Sequence, residues 1–128
     1  MIVFAQTSGK LNTTSGSWVP MQGLAVKLPE AVGTYATLIL NVPNPYAVGN
    51  NYPGGNFGLQ VGDAVLTAYA CFTYNEQAPQ SYGRVPTTLT AVIPLNTHGT
   101  TTVQAVWSGV RGADVIIDSP ATLTAIIA

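Results

Sequence analysis

Tyr35-Ala36-Thr37-Leu38-Ile39-Leu40-Asn41-Val42 decides the fold class of this chain. Ala36, Leu38, Leu40 and Val42 recur at every second residue, the period that puts side chains on one face of an extended strand. The period returns in Thr102-Val103-Gln104-Ala105-Val106-Trp107 and in Ala121-Thr122-Leu123-Thr124-Ala125-Ile126. These windows are rich in β-branched and aromatic residues and poor in the Glu, Lys and Arg that favour helices. The pattern predicts an all-β chain with strands near 2–6, 17–27, 34–42, 57–61, 64–74, 86–94, 100–108, 114–118 and 121–127.

Turn chemistry separates these runs. Pro43-Asn44-Pro45, the segment from Gly49 to Gly55, the segment from Ala78 to Gly83, and Asn96-Thr97-His98-Gly99 combine Pro, Gly, Asn and Ser, each of which favours a tight change of direction. Short strands joined by such loops within 128 residues predict one β-sandwich or jelly-roll domain spanning residues 1–128.

Charge separates this chain from most soluble domains. Charged residues make up 7% of it, against about 25% in typical globular proteins. Four cations cannot displace many counterions from a phosphate backbone, which argues against nucleic-acid partners, and no polybasic stretch marks an anionic membrane surface. Low charge with 47% hydrophobic content predicts instead that part of the surface is covered by further copies of the chain. The N-terminus lacks the basic start and longer apolar run of a secretory signal, and the Ala36–Val42 run is too short to span a bilayer. The expectation is a soluble protein made in the cytoplasm, with no membrane insertion.

Catalytic and metal-binding constellations are sparse. Cys71 has no partner for a disulfide or a metal pair and reads as a small core residue, and His98 reads as a solvated turn residue. Glu30, Asp63, Glu76, Asp114 and Asp118 fall in separate segments or at strand ends, so no pair of carboxyls flanks a scissile bond. No enzyme activity, cofactor or metal site is expected. Trp18 and Trp107 read as core or interface aromatics.

Two arginines stand apart. Arg84 follows Ser81-Tyr82-Gly83, and Arg111 follows Trp107-Ser108-Gly109-Val110 and precedes Gly112, so both lie at strand-to-loop transitions. A guanidinium presents five donors in a planar fork that suits adjacent acceptor oxygens, vicinal sugar hydroxyls among them. An ion pair between subunits, with Asp114 or Asp118, uses the same fork equally well. Tyr46, Tyr74 and Tyr82 lie at loop mouths near these arginines in sequence, with rings able to face an apolar sugar edge or to fill an interface.

The blocks Ile39 to Gly54, Cys71-Phe72-Thr73-Tyr74, Ser81-Tyr82-Gly83-Arg84, Val110-Arg111-Gly112 and Ile117-Asp118-Ser119 follow one another in an order that resembles the TNF-like fucose-binding lectins found at the N-terminus of bacterial superlectins. The resemblance runs from about residue 35 to the C-terminus. It implies a TNF-like jelly-roll homotrimer that binds L-fucose in fucosylated oligosaccharides, independently of calcium or any other metal, at sites between protomers. It further implies that Arg84 and Arg111 grip fucose hydroxyls from adjacent chains, that Thr73 and Tyr74 hydrogen-bond the sugar, and that Tyr46, Ser81, Asp118 and Ser119 line the site. Three positions depart from the family pattern: Tyr82 replaces Thr, Asn56 replaces Tyr, and Ile116 replaces His. An extracellular glycan target would also require a route of release. The alternative reading is a TNF- or C1q-like structural or signalling trimer without sugar binding.

Overall fold

A computed structural model describes residues 1–128, all strand, turn and loop. Four strands, β1 (Ile2–Gln6), β4 (Tyr35–Val42), β9 (Thr87–Pro94) and β12 (Thr122–Ile127), form an antiparallel sheet in the order β1-β12-β4-β9. A second antiparallel sheet joins β3 (Val19–Leu28), β10 (Thr101–Val110) and β6 (Gly54–Val61). The short strands β7 (Ala64–Val65) and β8 (Ala70–Thr73) both pair with β6. A third, smaller sheet sets β11 (Asp114–Ile117) between β2 (Leu11–Thr13) and β5 (Tyr46–Val48). No helix is long and apolar enough to cross a membrane.

The deciding octapeptide behaves as its period requires. Ala36, Leu38, Leu40 and Val42 are buried, and they join Leu123, Ala125, Leu89 and Ile93 from neighbouring strands to make one wall of the core. Met21, Leu24, Val26 and Leu28 of β3, Val103, Ala105 and Trp107 of β10, and Phe57 and Leu59 of β6 make the opposite wall. In β3 the buried Met21 and Leu24 lie three residues apart, because the pairing with β10 shifts register between Gln104 and Val106. The Gln104 amide donates to the Met21 and Leu24 carbonyls at 3.0 and 2.9 Å, supplying partners to the irregular segment.

The expectations fail locally. The stretch 64–74 is not one strand: β7 ends at Val65, and β8 resumes at Ala70. Cys71 is exposed, not in the core, because Phe72 takes the inward parity of β8 and stacks against Phe57, leaving Cys71 and Thr73 on the outer face. The short strands at 11–13 and 46–48 fall outside every expected strand.

The outer face of the first sheet carries no charge. Register aligns Ile2, Ile126, Thr37 and Val92 in one row, Phe4, Thr124, Ile39 and Thr90 in the next, and Gln6, Thr122, Asn41 and Thr88 in a third. Ile2, Phe4 and Val92 are 67%, 56% and 64% exposed, so the face has no cover within the chain.

Candidate functional site

The Arg111 site is organised around the end of the second sheet, and the Arg84 site around the third, through Tyr46 of β5 and Asp118 just beyond β11. Gly54 of β6 pairs with Thr73 of β8 on one side and with Val110 of β10 on the other, so the Arg111 turn begins one residue beyond the row that contains Thr73. The Ala113 amide closes this turn on the Val110 carbonyl at 3.1 Å, and both central residues, Arg111 (φ 51°) and Gly112 (φ 76°), are left-handed. Gly serves that conformation without penalty, whereas a side-chain-bearing residue there costs about 1–2 kcal/mol. Gly109 completes the local design: a Cβ there would collide with the Ala113 carbonyl.

Arg111 is held by backbone alone. Its Nε donates to the Asn51 carbonyl at 2.8 Å, another guanidinium N–H donates to the Tyr52 carbonyl, and the guanidinium carbon sits 5.8 Å from the centre of the Tyr52 ring. Tyr52 (φ 49°) is the other non-glycine residue in the left-handed region, so the two strained residues of the chain hold each other. Two of the five donors are committed, and three remain. Sequence reasoning missed Asn51 and Tyr52, whose role lies in a carbonyl and a backbone angle that residue type does not announce.

Arg84 is held by a carboxylate. Its Nη1 and Nη2 donate to the two Asp118 oxygens at 2.7 and 2.9 Å, Nη1 also reaches the Asn44 carbonyl at 3.2 Å, and the fork stacks 4.2 Å above the Tyr46 ring. Three of its five donors are thereby committed. The paired hydrogen bonds hold the Asp118 carboxyl below its ordinary value against an opposing desolvation, and they raise the guanidinium further. Both side chains remain well exposed, so the pair fixes geometry more than it adds stability. Asn44 extends the network by donating to the Ser119 hydroxyl at 3.2 Å.

Strand parity divides the adjacent Thr73 and Tyr74. Thr73 points outward beside the Arg111 turn, with its hydroxyl uncommitted, while Tyr74 turns toward Arg84. The Tyr74 hydroxyl accepts from the Ala47 amide at 3.2 Å and donates to the Gly83 carbonyl at 2.6 Å, tying the loop that carries Arg84 to β5. Burial pushes the Tyr74 phenol up, with the Ala47 hydrogen bond pulling the other way. Tyr82 leans on it, ring centres 6.3 Å apart, and Ser81 is exposed with its hydroxyl free.

The remaining positions separate. Asn56 lies two residues along β6 from Gly54 and donates to the Ser108 hydroxyl at 3.1 Å, away from both arginines. Asp114 accepts from the Asn12 amide at 2.9 Å and does not share a partner with Asp118. Ile116, buried on β11, pairs in register with Tyr46. Burial lifts the Cys71 thiol despite the exposure of its residue, with Arg111 partly opposing. One chain therefore presents two groups, Arg84 with Asp118, Tyr46, Tyr74, Tyr82 and Ser119, and Arg111 with Thr73 and Tyr52, and no hydrogen bond or ring contact joins one arginine to the other.

Residues 6–126 match the family described as Bc2l-C, N-terminal domain. The chain belongs to that family. Its match spans nearly the whole sequence, including the segment before residue 35 where the resemblance fades by eye. The Bc2l-C N-terminal domain family is of a lectin-like, carbohydrate-binding kind. No curated protein matches the chain.

Solved structures that match this Bc2l-C-type domain include distant likenesses. They include dimeric latent PorU from Porphyromonas gingivalis (14% identity, TM-score 0.46), a cyclase from Fischerella sp. TAU (15%, 0.38) and the enzymatically active domain of tailspike protein 4 from bacteriophage CBA120 (11%, 0.32). The alignments cover 96%, 84% and 98% of this chain but 13%, 60% and 19% of those chains. Likeness at that level carries no functional argument.

Proposed function

We propose that the chain is a metal-independent lectin domain that recognises L-fucose in fucosylated glycans, at sites shared between neighbouring copies of a homotrimer. The observation that supports this is the division of the arginines into two groups within one copy. Within one copy the two arginines share no partner, and pairing the Arg84 group of one copy with the Arg111 group of the next would bring both forks to one deoxyhexose. Two donors of Arg84, three of Arg111 and the free hydroxyls of Thr73 and Ser81 then face the sugar hydroxyls, while the Tyr46 or Tyr82 ring meets the deoxy methyl. The uncharged outer face of the first sheet supports the assembly, since burying it desolvates no ion. Single-site affinity is modest because one small ring makes few contacts, and several sites on one trimer supply avidity on a glycan-covered surface.

Complementation tests the shared site. Arg84→Ala and Arg111→Ala chains each lose L-fucoside binding alone, but trimers mixed from the two contain seams where an intact Arg84 meets an intact Arg111. Titration calorimetry of the mixture should recover a fraction of the wild-type sites. No recovery, with mixed trimers verified by native mass spectrometry, would overturn the reading. Placing a charge at the centre of the uncharged face, Ile39→Glu, should yield a folded monomer in sedimentation velocity that binds no fucoside.

One observation favours a second reading, a TNF- or C1q-like structural trimer: both arginines already hold their own loops through hydrogen bonds within the chain. Silence on a broad glycan array would select it, and agglutination that free L-fucose inhibits and a chelator does not would exclude it.

A further inference from the structure

The outer face of the second sheet does not end at Thr73. Along β6 the outward positions run Gly54, Asn56, Gly58, with Thr73 and Cys71 beside the first two and Val110, Ser108 and Val106 on the other side. At the far end of this strip lies a cleft of about 280 Å³ lined by Gly16, Ser17, Trp18, Asn56, Tyr69 and Ser108. Its walls are two aromatic rings in edge contact, Trp18 and Tyr69, with centres 5.5 Å apart. The Trp18 ring closes against Gly58, where any Cβ would press on it, and Tyr69 is 52% exposed.

The cleft has the chemistry of a neutral sugar platform. Two ring surfaces are available to the apolar face of a pyranose, and polar groups sit at its base. Asn56 commits one amide hydrogen to Ser108, leaving its other hydrogen and its carbonyl oxygen for a ligand. No charged side chain lines it, so nothing there compensates a carboxylate or phosphate brought out of water. Its volume falls just below the ~300 Å³ at which small-molecule pockets begin, which suits one ring and not a chain of them. The larger cleft, near Val61 and Pro94, has no aromatic wall at all.

We propose that the Trp18–Tyr69 cleft is a second subsite, taking an uncharged pyranose of the same glycan whose fucose lies at Thr73 and Arg111. Two steps along β6, from Gly54 beside Thr73 to Asn56 at the base of the cleft, separate the two, about 7 Å at the rise of a strand, within the reach of a short oligosaccharide. The inference rests on the fucose reading for its first anchor and on the aromatic cleft for its second.

Titration calorimetry with methyl L-fucoside and with neutral fucosylated tri- and tetrasaccharides tests it, with Trp18 fluorescence as a second readout because Trp107 is buried. The wild-type chain should bind at least one oligosaccharide about tenfold more tightly than the monosaccharide and shift its emission only with the oligosaccharide. Tyr69→Ala, at a largely exposed position, should remove most of that gain and leave the monosaccharide affinity unchanged. Equal affinity for monosaccharide and every oligosaccharide, or an equal loss for both in Tyr69→Ala, overturns the subsite alone. If methyl fucoside does not bind while a neutral glycan still shifts the emission in a Tyr69-dependent way, the fucose reading falls and the cleft stands. If nothing binds or shifts, both fall.

Discussion

Arg84 and Arg111 are the same residue type, both at loop mouths, yet their surroundings differ in kind. Arg84 faces a carboxylate that takes both ends of its fork, so its charge is balanced before any ligand arrives. Arg111 faces two peptide carbonyls and a ring, dipoles that orient the group and leave its charge unpaired. One arginine is a clamped strut with a little donor capacity to spare, and the other is a pre-oriented cation. Side-chain inventory ranks them as equals, and only the geometry separates them.

The largest effect should follow from removing the unpaired one. Hydrogen bonds from a charged donor contribute about 1.5–3 kcal/mol each, so Arg111→Ala should weaken L-fucoside binding at least tenfold in titration calorimetry, and more than Arg84→Ala does. Arg111→Lys should not restore it, because one ammonium cannot hold both loop carbonyls and still present a planar pair of donors. Equal losses at the two positions would erase the distinction between clamp and cation.

The left-handed backbone sharpens it further. Arg111 occupies an angle that glycine adopts freely, at about 1–2 kcal/mol, offset by about 0.4–1 kcal/mol for the greater freedom of an unfolded glycine. Arg111→Gly should therefore be more stable than Arg111→Ala by about 0.5–1 kcal/mol in urea unfolding, although both variants lose at least tenfold in sugar affinity. A position where glycine is tolerated better than alanine is one where the backbone angle is a cost that the arginine side chain bears. If the alanine variant were the more stable, the left-handed angle at 111 would carry no strain for a side-chain-bearing residue.

The contrast also marks what the sequence could tell. The period of Ala36, Leu38, Leu40 and Val42 carried the sheet class because every second residue had to be buried, and burial is legible in residue type. It failed at Cys71, where a short apolar window left parity undecided until Phe72 found Phe57. The arginines stood out by their scarcity. Their partners did not, because Asp118 is 34 positions from Arg84 and the carbonyls holding Arg111 belong to Asn51 and Tyr52, about 60 positions away. A hydrogen bond to a backbone oxygen leaves no mark on residue choice. The split of Thr73 from Tyr74 was hidden similarly: as neighbours in sequence they read as one unit, but Thr73 ends β8 on its outer face beside Arg111 and Tyr74, just past the strand, bonds to Gly83 of the Arg84 loop.

The smallest effect concerns acid. Arg84 holds the Asp118 carboxyl below the ordinary value of about 3.9. A group whose folded value is depressed supports the native arrangement above its unfolded value and loses that support as pH falls through the folded one. Fucoside affinity should accordingly stay level from neutral pH to about pH 4 and decline only below it, as protonation of Asp118 releases the Arg84 fork. Asp118→Asn, which keeps the shape and removes the charge, should weaken binding only about twofold at neutral pH through looser positioning of that fork. It should also abolish the acid decline, because no carboxylate is left to titrate. No histidine belongs to the Arg84 group, so a decline centred near pH 6 has no source among these residues. Such a midpoint in the wild-type profile would mean that the clamp is not what acid undoes, and the pairing of Arg84 with Asp118 would then lose its part in ligand binding.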